Sequence, residues 1–316
     1  MHDEFAKIEW LKNRFDFDGE SRKPIVGIGD DAAVIELGAG PTIVTVDTQV
    51  EGVHFRHDLI SCRDLGYRAM VAAASDVWAM AAIPSASVVA LSLPADLLDE
   101  QFHELIEGLA EAARSTGARV AGGNLSGGES LTVTTTVLGS PVAEPVTRGG
   151  ARPGDAIYVT GTLGSAALGL AILQNRAPTT GHAPNFIERW RRPPTHGPAA
   201  KALATIATAA VDVSDGCLQD LQHVCTASNV GATLRAHAIP NAPGYKTRCE
   251  SLGLAPTALA LTGGEDYELM FTALESPEAE ALGTKIGRIV DGSGVRVVDE
   301  AGQAIELAAT GFRHFS

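Results

Sequence analysis

The chain has 316 residues, of which 45% are hydrophobic and 20% are charged. Lys and Arg number 24 against 38 Asp and Glu, which gives a formal net charge of −14. This acidic balance argues against a surface built to hold nucleic-acid phosphates or anionic lipid. An anionic substrate would need a divalent cation, because such an ion binds carboxylate and phosphate together.

The length exceeds the usual size of one domain and predicts two domains. The segment 140–154 contains three prolines and three glycines, so we expect domains over 1–140 and 150–316.

The cysteines form no C-x-x-C pair and indicate free thiols. No apolar run reaches the length of a membrane span, and we expect a cytoplasmic protein without a signal peptide.

Strands and helices are mixed in both halves, as hydrophobic periodicity and β-branched content indicate. In the first half, the sequence predicts helices over 4–15, 64–82 and 97–115, and strands over 42–46, 87–93 and 130–138. In the second half, it predicts strands over 157–160, 211–213, 268–272, 285–290 and 295–298 and near Ala232, and helices over 165–173, 198–208 and 217–227. The segment 175–198 is rich in Pro, Arg and His, which indicates a surface segment.

The most informative pattern is a set of acidic residues flanked by Gly, Ser or Thr at the ends of predicted strands. Its members are Asp30, Asp31, Asp47, Asp76, Asp212 and Asp215. Ligands of α/β proteins bind at strand ends, and carboxylates from several segments suit Mg²⁺. The alternative is that such residues cap helices or complete turns.

Three further segments could contact an anion or a substrate. Gly161–Ser165, between a strand and a helix, could present backbone N–H groups to a phosphate. His54 could donate to an anion, although a lone histidine is more often structural. Gly263–Glu268 places carboxylates on a turn, which could also be an ordinary polar β-turn. The chain contains neither a P-loop nor a G-x-S-x-G nucleophile elbow.

Taken together, these segments resemble the thiamine-monophosphate kinase family, a branch of the aminoimidazole-ribonucleotide-synthetase-like ATP-binding superfamily. The resemblance runs nearly end to end. The matching segments include Asp3–Phe5, Gly27–Val34, Val46–Thr48, Val50–Phe55, Ser75–Asp76, Gly122–Gly123, Arg148, Val159–Gly161, Val213–Gly216 and Gly263–Leu269.

The resemblance implies an α/β (α+β) fold of two domains and a homodimer. The N-terminal strands of both subunits would form a shared β-barrel, with a C-terminal α/β domain beside it. The residues that would hold several Mg²⁺ ions are Asp31, Thr45, Asp47, Asp76, Asn124, Asp212 and Asp215. ATP would contact Gly123, Asn124, Arg148 and Ser214. Thiamine monophosphate would contact His54, Glu265 and Phe312.

The chain departs from the family pattern at several positions. Asn124 stands where the family usually has a metal-binding Asp, so its oxygen can ligate a cation without adding negative charge. Ala73 replaces a frequent Asn, and Val46 replaces a common Thr. Trp78 and Ala81 replace a small residue and a glycine.

The resemblance also implies the reaction, which is transfer of the ATP γ-phosphoryl group to a phosphate oxygen. That acceptor is largely deprotonated at neutral pH, since its second pKa is about 6, so no catalytic base is required. Two alternatives stay open. One is another ATP-dependent synthetase of the superfamily, and the other is a homologue that binds nucleotide or a partner without catalysis.

Overall fold

The structure is a computed structural model that describes residues 4–15, 28, 33, 35, 36 and 38–307. Within these residues the chain forms two compact units. The first reaches Val77 and includes Ala82–Pro141, and the second includes Trp78–Ala81 and resumes at Val142. In the described parts of the chain, no helix is long and apolar enough to cross a membrane.

The first unit contains one four-stranded sheet in the order β1-β4-β2-β3. Its elements are α1 (Glu4–Phe15), β1 (Ile43–Val50), α2 (Cys62–Ala79), β2 (Ala82–Leu93), α3 (Asp99–Thr116), β3 (Arg119–Gly127) and β4 (Thr132–Pro141). The β2–β3 pair is parallel and the other two pairs are antiparallel. The predicted helices and strands of this half are confirmed, and β3 was missed because its glycines weaken the strand pattern.

Helices α2 and α3 approach each other at two glycines. A Cβ atom on Gly66 would lie 2.1 Å from the carbonyl oxygen of Leu105, and one on Gly108 would lie 1.8 Å from that of Arg63. No larger residue fits at either position, because both contacts are with backbone. This close approach anchors α2, the helix that carries Asp76.

Side chains alternate along β1 between a covered and an uncovered face of the sheet. Ile43 and Gln49 are buried, and Thr45 and Asp47, at the same parity, are half-buried. Val44 and Val46 point the other way and are 59% and 60% exposed. The strand also lies at an edge of the sheet, so an apolar face remains uncovered there.

Ala81 adopts a left-handed conformation just after α2, with φ +57°. Its N–H donates to the Trp78 carbonyl at 2.9 Å, and its own carbonyl accepts from the Val142 N–H at 3.1 Å. A glycine is the usual residue after a helix end because a Cβ atom is strained there. The alanine therefore carries strain that a glycine would relieve.

We expect Ala81→Gly to raise the free energy of unfolding by about 0.5–1 kcal/mol, since relief of strain exceeds the entropy that glycine adds to the unfolded chain. Urea denaturation measures this difference. Ala79→Gly, at the last position of α2, is the matched control and should destabilise by up to about 1 kcal/mol. A variant at 81 that is no more stable than the wild type would contradict the strain argument.

The second unit contains a six-stranded sheet in the order β10-β7-β9-β5-β8-β6. Its strands are β5 (Ala156–Val159), β6 (Ala209–Asp212), β7 (Gly231–Arg235), β8 (Leu269–Ala273), β9 (Thr284–Val290) and β10 (Gly294–Val298). Its helices are α4 (Ser165–Gln174), α5 (Ala183–Arg191), α6 (Gly197–Ile206), α7 (Cys217–Ser228), α8 (Tyr245–Ser251), α9 (Pro256–Thr262) and α10 (Pro277–Leu282). The strands and helices predicted for this half are confirmed, with bounds shifted by a few residues.

The prediction of a surface segment over 175–198 is confirmed over 175–182 and is wrong for the residues from Ala183 to Trp190. Helix α5 lies there, and its buried residues follow the i, i+3, i+4, i+7 spacing of an amphipathic helix. Phe186 and Trp190 are each 1% exposed, and the Phe186 ring packs edge-on against Tyr245 at 6.2 Å. Helices α8, α9 and α10 were also missed, because each is seven residues or fewer.

The predicted mixed α/β organisation in two parts is confirmed. Both sheets are open among the described residues, and β1 and β3 form the edges of the first one. The predicted barrel shared by two subunits therefore remains a proposal. All four cysteines are buried and unpaired.

Candidate active site

Three oxygen-bearing side chains of the first unit meet between β1 and α2. Thr45 Oγ1 donates to Asp76 Oδ2 at 2.6 Å, and Asp47 shares the strand face of Thr45. The prediction that Asp47 and Asp76 lie at strand ends is wrong. Asp47 is inside β1, which continues to Val50, and Asp76 belongs to α2. The cluster therefore forms by packing of a helix on a strand.

The environment of Asp47 disfavours a negative charge. Burial is the largest cause that raises the pKa of this carboxyl, and the nearby Asp76 carboxylate raises it further. A hydrogen bond from the Thr48 N–H at 2.6 Å and the charge of Arg68 act in the opposite direction. A cation at this position would offset both unfavourable contributions, because it attracts the carboxylate that burial and repulsion destabilise.

The ring orientation of His54 is set by the backbone. Its Nδ1 accepts a hydrogen bond from the Val50 N–H at 3.0 Å. A ring nitrogen that accepts carries no proton, so the proton of the neutral ring is on Nε2. His54 is partly exposed, and Nε2–H is the donor of its ring in this orientation. Its contact with a substrate anion stays a prediction.

The sheet register separates Asn124 from Asp47. Asn124 lies on β3, at the opposite edge of the sheet, in the row that contains Thr48. Asp47 occupies the next row with Gly123, and adjacent rows point to opposite faces. Three strand spacings of about 4.8 Å also separate the two edges. Within the chain, the sheet does not bring the Asn124 side chain to the carboxylate cluster.

A loop at the end of β6 carries the predicted site residues of the second unit. Asp212 ends the strand and is 3% exposed, and Ser214 and Asp215 follow it, partly exposed. Asp220, in the first turn of α7, accepts hydrogen bonds through one oxygen from the N–H groups of Ser214, Asp215 and Gly216 at 3.0, 3.2 and 3.1 Å. One buried carboxylate thus holds the whole loop.

Asp220 combines these hydrogen bonds with an unfavourable charge environment. Burial is the largest cause, followed by Asp215, and together they raise the pKa of Asp220 to about 7 despite the three N–H donors. Ligand atoms of Asp215, Asp220 and His223 lie within 4.8 Å of one another. Asp220 is therefore placed to hold the loop and also adds negative potential beside Asp215.

A second loop, before β8, is joined to the first by backbone hydrogen bonds. The Glu265 N–H donates to the Ser214 carbonyl at 2.8 Å, and the Tyr267 N–H donates to that of Val213 at 2.9 Å. The Val213 N–H returns a bond of 2.8 Å to the Glu268 carbonyl. Glu265 and Tyr267 have φ values of +70° and +49°. This unusual backbone places Glu265 next to the Ser214 turn.

The carboxylate of Asp266 occupies the N-terminus of α4. It accepts from the Gly164 N–H at 2.5 Å and from the Ala166 N–H at 2.9 Å, and Asp266 is fully buried. The Gly164 N–H of the segment Gly161–Ser165 is therefore not available to a phosphate, and phosphate binding by the rest of the segment stays a prediction. A protein carboxylate uses the positive end of the helix.

The Glu268 carboxylate is bound within a buried polar network. Its carboxylate forms an ion pair with Arg189, accepts from Thr160 Oγ1 at 2.6 Å and lies 3.4 Å from His196 Nε2. Glu265 is only half-buried and accepts from Trp190 Nε1 at 2.8 Å. Among the three carboxylates of this loop, Glu265 is therefore the one placed to face a ligand.

His196 makes stability depend on pH. Burial, mainly, and the Arg189 charge lower the pKa of His196 to about 4, below the ordinary value of 6.5. The unfolded chain then binds a proton more readily than the folded chain does, so stability falls as the pH drops below about 6.5. Nε2 lies 2.9 Å from the Tyr267 carbonyl, as a neutral donor requires.

We compare the free energy of unfolding of the wild type with that of His196→Gln. Relative to the variant, the wild type should lose about 2 kcal/mol between pH 7 and pH 5. Gln can donate to the Tyr267 carbonyl but does not titrate, so the difference isolates the histidine. Urea denaturation at both pH values measures it, and an unchanged difference would contradict a neutral buried His196.

Comparison with known proteins places the chain in a family. The family models of AIR synthase related protein match it over 29–140 for the N-terminal domain and over 152–300 for the C-terminal domain. Thiamine-monophosphate kinase of Escherichia coli K12 is 36% identical to it over 307 residues, which cover 92% of each chain. The chain belongs to the thiamine-monophosphate kinase family.

Solved structures of thiamine-monophosphate kinases share the fold. The crystal structure of the enzyme from Stenotrophomonas maltophilia K279a is 33% identical and matches with a TM-score of 0.83, covering 96% of this chain and 98% of the other. A structure of AaThiL complexed with AMPPCP and TMP is 31% identical and matches with a TM-score of 0.81, covering 99% and 97%.

The other residues expected from the thiamine-monophosphate kinase pattern include some that the structure does not describe. Asp31 and Phe312, with Gly27, Gly29 and Asp30 of the predicted turn, lie outside the described residues. Arg148 is exposed in the segment between β4 and β5, and its carbonyl accepts from Ser228 Oγ at 2.8 Å. These assignments remain predictions.

The sequence analysis assigned no role to two residues that contact the loops of the candidate site, Asp220 and Trp190. For Asp220, the available signal was an acidic residue in the first turn of a helix after a Ser-Asp-Gly turn, a position that favours a capping role. Trp190 lies in the segment 175–198, which was predicted to be a surface segment, so it received no role. Its i+4 spacing from Phe186 was the available signal.

Proposed function

We propose that the chain transfers the γ-phosphoryl group of ATP directly to the phosphate of thiamine monophosphate, giving thiamine diphosphate and ADP. It is a kinase of the family to which it belongs. The observation that carries the proposal is the backbone pairing of two loops in the second unit. This pairing puts Ser214 and Asp215, proposed for ATP and metal, next to Glu265, proposed for the substrate.

The chemistry requires charge neutralisation rather than a base. Donor and acceptor are both phosphates, and the acceptor oxygen is deprotonated at neutral pH because its pKa is about 6. Binding and alignment of two mutually repelling anions therefore dominate the task. A carboxylate-rich site on an acidic protein fits this task only when cations are bound.

Oxygen ligands on both units fit Mg²⁺. In the first unit, the burial of Asp47 and its repulsion by Asp76 create a position that a cation would stabilise, and Thr45 supplies a further oxygen. In the second unit, Asp212 and Asp215 would be the ligands. The bound ions would screen the phosphates during transfer, while the protein holds the ligand loops in place.

The remaining site assignments are proposals that the family resemblance supports. They are Asp31 and Asn124 for metal, Gly123, Asn124, Arg148 and Ser214 for ATP, and His54, Glu265 and Phe312 for thiamine monophosphate. The backbone requires a glycine at 123, because a Cβ atom would lie 1.9 Å from the Val89 carbonyl oxygen. The domain over 1–140 would bind ATP and Mg²⁺ and form the dimer, beside a C-terminal α/β domain over 150–316.

We propose a homodimer in which the sheets of two first units form a shared barrel. The uncovered face of β1 supports this, because Val44 and Val46 are more than half exposed at the edge of an open sheet. Sedimentation should give twice the chain mass of 32.8 kDa, and a monomer at micromolar concentration would contradict the dimer.

The four free cysteines support a reducing compartment such as the cytoplasm.

Chromatographic detection of thiamine diphosphate tests the function. Purified protein with ATP, Mg²⁺ and thiamine monophosphate should form it, and thiamine as acceptor should give no product. Chelation of Mg²⁺ should stop the reaction. ATP binding without product would favour a non-catalytic homologue, for which Asn124 in place of a charged ligand is the supporting observation.

A further inference from the structure

Helix α5 contributes a side chain to the half-buried carboxylate of the substrate loop. Trp190 is 1% exposed, and its indole N–H points to Glu265 Oε2 at 2.8 Å. Helix α5 is fixed by its buried face, in which Phe186 packs against Tyr245. The donor therefore comes from a rigid part of the second unit and not from a loop.

The backbone of Glu265 is fixed separately from its side chain. Its N–H is bonded to the Ser214 carbonyl at 2.8 Å, and a Cβ atom on Gly264 would lie 2.3 Å from the same oxygen. The loop therefore lies tightly against the Ser214 turn. With the backbone held there, the hydrogen bond from Trp190 acts on the orientation of the side chain alone.

The neighbouring carboxylates show why this contact differs from ordinary structural bonding. Asp266 and Glu268 are both at least 98% buried and bind backbone N–H groups, Arg189 and Thr160. Glu265 is partly exposed and is bonded by an indole. An indole is a neutral donor without an acceptor, so it orients a carboxylate and leaves its negative charge intact.

We propose that Trp190 is a positioning residue that orients the Glu265 carboxylate toward the thiamine part of the substrate. This inference rests on the proposed function. Thiamine carries an aminopyrimidine with N–H donors and a cationic thiazolium ring, and a directed carboxylate complements both. The residue acts on substrate binding and takes no part in phosphoryl transfer.

Steady-state kinetics of Trp190→Phe test the proposal. We expect KM for thiamine monophosphate to rise about tenfold or more, as for loss of a hydrogen bond to a charged group. The kcat value and KM for ATP should stay within about twofold, because the phosphates and their ligands are untouched. General loosening of the fold would instead alter all three parameters together.

Trp78→Phe is the matched control. Trp78 is fully buried in the same unit, and its Nε1 has no hydrogen-bond partner among the described residues. The same loss of ring volume should leave KM for thiamine monophosphate within about twofold of the wild type, because no hydrogen bond is lost. Equal KM values in the two variants would overturn the role of Trp190.

A double-mutant cycle with Glu265→Ala separates orientation from packing. Once the carboxylate is gone, Trp190→Phe should raise KM by less than about twofold further, because coupled residues are not additive. Additive effects would overturn the proposal. If Trp190→Phe does not fold, 3-benzothienylalanine at this position exchanges the N–H for sulfur at nearly the same volume and should give the same rise in KM.

The wild-type enzyme in the same assay distinguishes a failure of the proposed function from a failure of the role of Trp190. A wild type that forms no thiamine diphosphate would overturn the proposed function, and this inference with it. A wild type that forms the product, together with a Trp190→Phe variant of unchanged KM, would overturn only the role of Trp190.

Discussion

Asp47→Asn should abolish Mg²⁺-dependent turnover while leaving the fold intact. The variant keeps the shape of the side chain and loses the charge that would hold a cation beside Asp76. We expect kcat to fall by at least about 10²- to 10³-fold, the scale of losing one electrostatic contact to the transition state. Initial rates of thiamine diphosphate formation at several Mg²⁺ concentrations measure this loss.

The same substitution should not destabilise the protein without Mg²⁺. Burial and the Asp76 charge both raise the pKa of Asp47, so the charged side chain costs stability that a neutral amide recovers. We expect Tm without Mg²⁺ to be equal to or above that of the wild type, and the rise in Tm on adding Mg²⁺ to shrink.

Asp58→Asn provides a control for the Asp47 variant. Asp58 is exposed and pairs with Arg56 at 2.7 Å, so removing its charge should change kcat by less than about twofold, because exposed ion pairs contribute little. Turnover near the wild-type value in Asp47→Asn would contradict a metal role for Asp47.

Asp220→Ala should lower both activity and stability. The change leaves three backbone N–H groups, those of Ser214, Asp215 and Gly216, without their acceptor. Unpaired buried donors cost about 1–3 kcal/mol each, and partial access to water reduces the sum, so we expect a loss of about 3 kcal/mol. The released loop carries the proposed ATP and metal ligands, and kcat/KM for ATP should fall about 10²-fold.

Asp220→Asn separates the hydrogen bonds from the charge. The amide oxygen can still accept from the loop, and the substitution removes the carboxylate whose pKa burial and the Asp215 charge raise to about 7. We expect most of the stability and of the ATP affinity to return. Urea denaturation and ATP kinetics measure both variants. An alanine variant with wild-type kcat/KM would contradict the role of Asp220 in holding the loop.

The sequence predicted those elements whose local pattern agrees with their burial. The helix Glu4–Phe15 has helical spacing throughout, and β4 alternates buried Val133, Thr135 and Val137 with partly exposed residues. Asp212 was placed correctly because a short buried strand ends there. In these cases the spacing of the hydrophobic residues indicates both the type of element and the face of it that is buried.

The failures arose where tertiary contacts override local pattern. Helix α5 was hidden by the Pro, Arg and His content of the segment 175–198, although the Arg189 guanidinium pairs with the buried Glu268 carboxylate. Asp266 looked like part of a polar turn, yet it is fully buried because the N-terminus of α4 supplies its donors. Asp76 joined the site from a helix because α2 packs beside β1. Such partners are distant in sequence, and local propensity contains no signal for them.

The most direct test of the proposed function follows the label of ATP carrying ³²P at its γ position. With wild-type protein, Mg²⁺ and thiamine monophosphate, we predict that the label appears in thiamine diphosphate in equal amount to the ADP formed, and that thiamine takes up none. Label released only as inorganic phosphate, or transferred to thiamine itself, would contradict the proposed reaction.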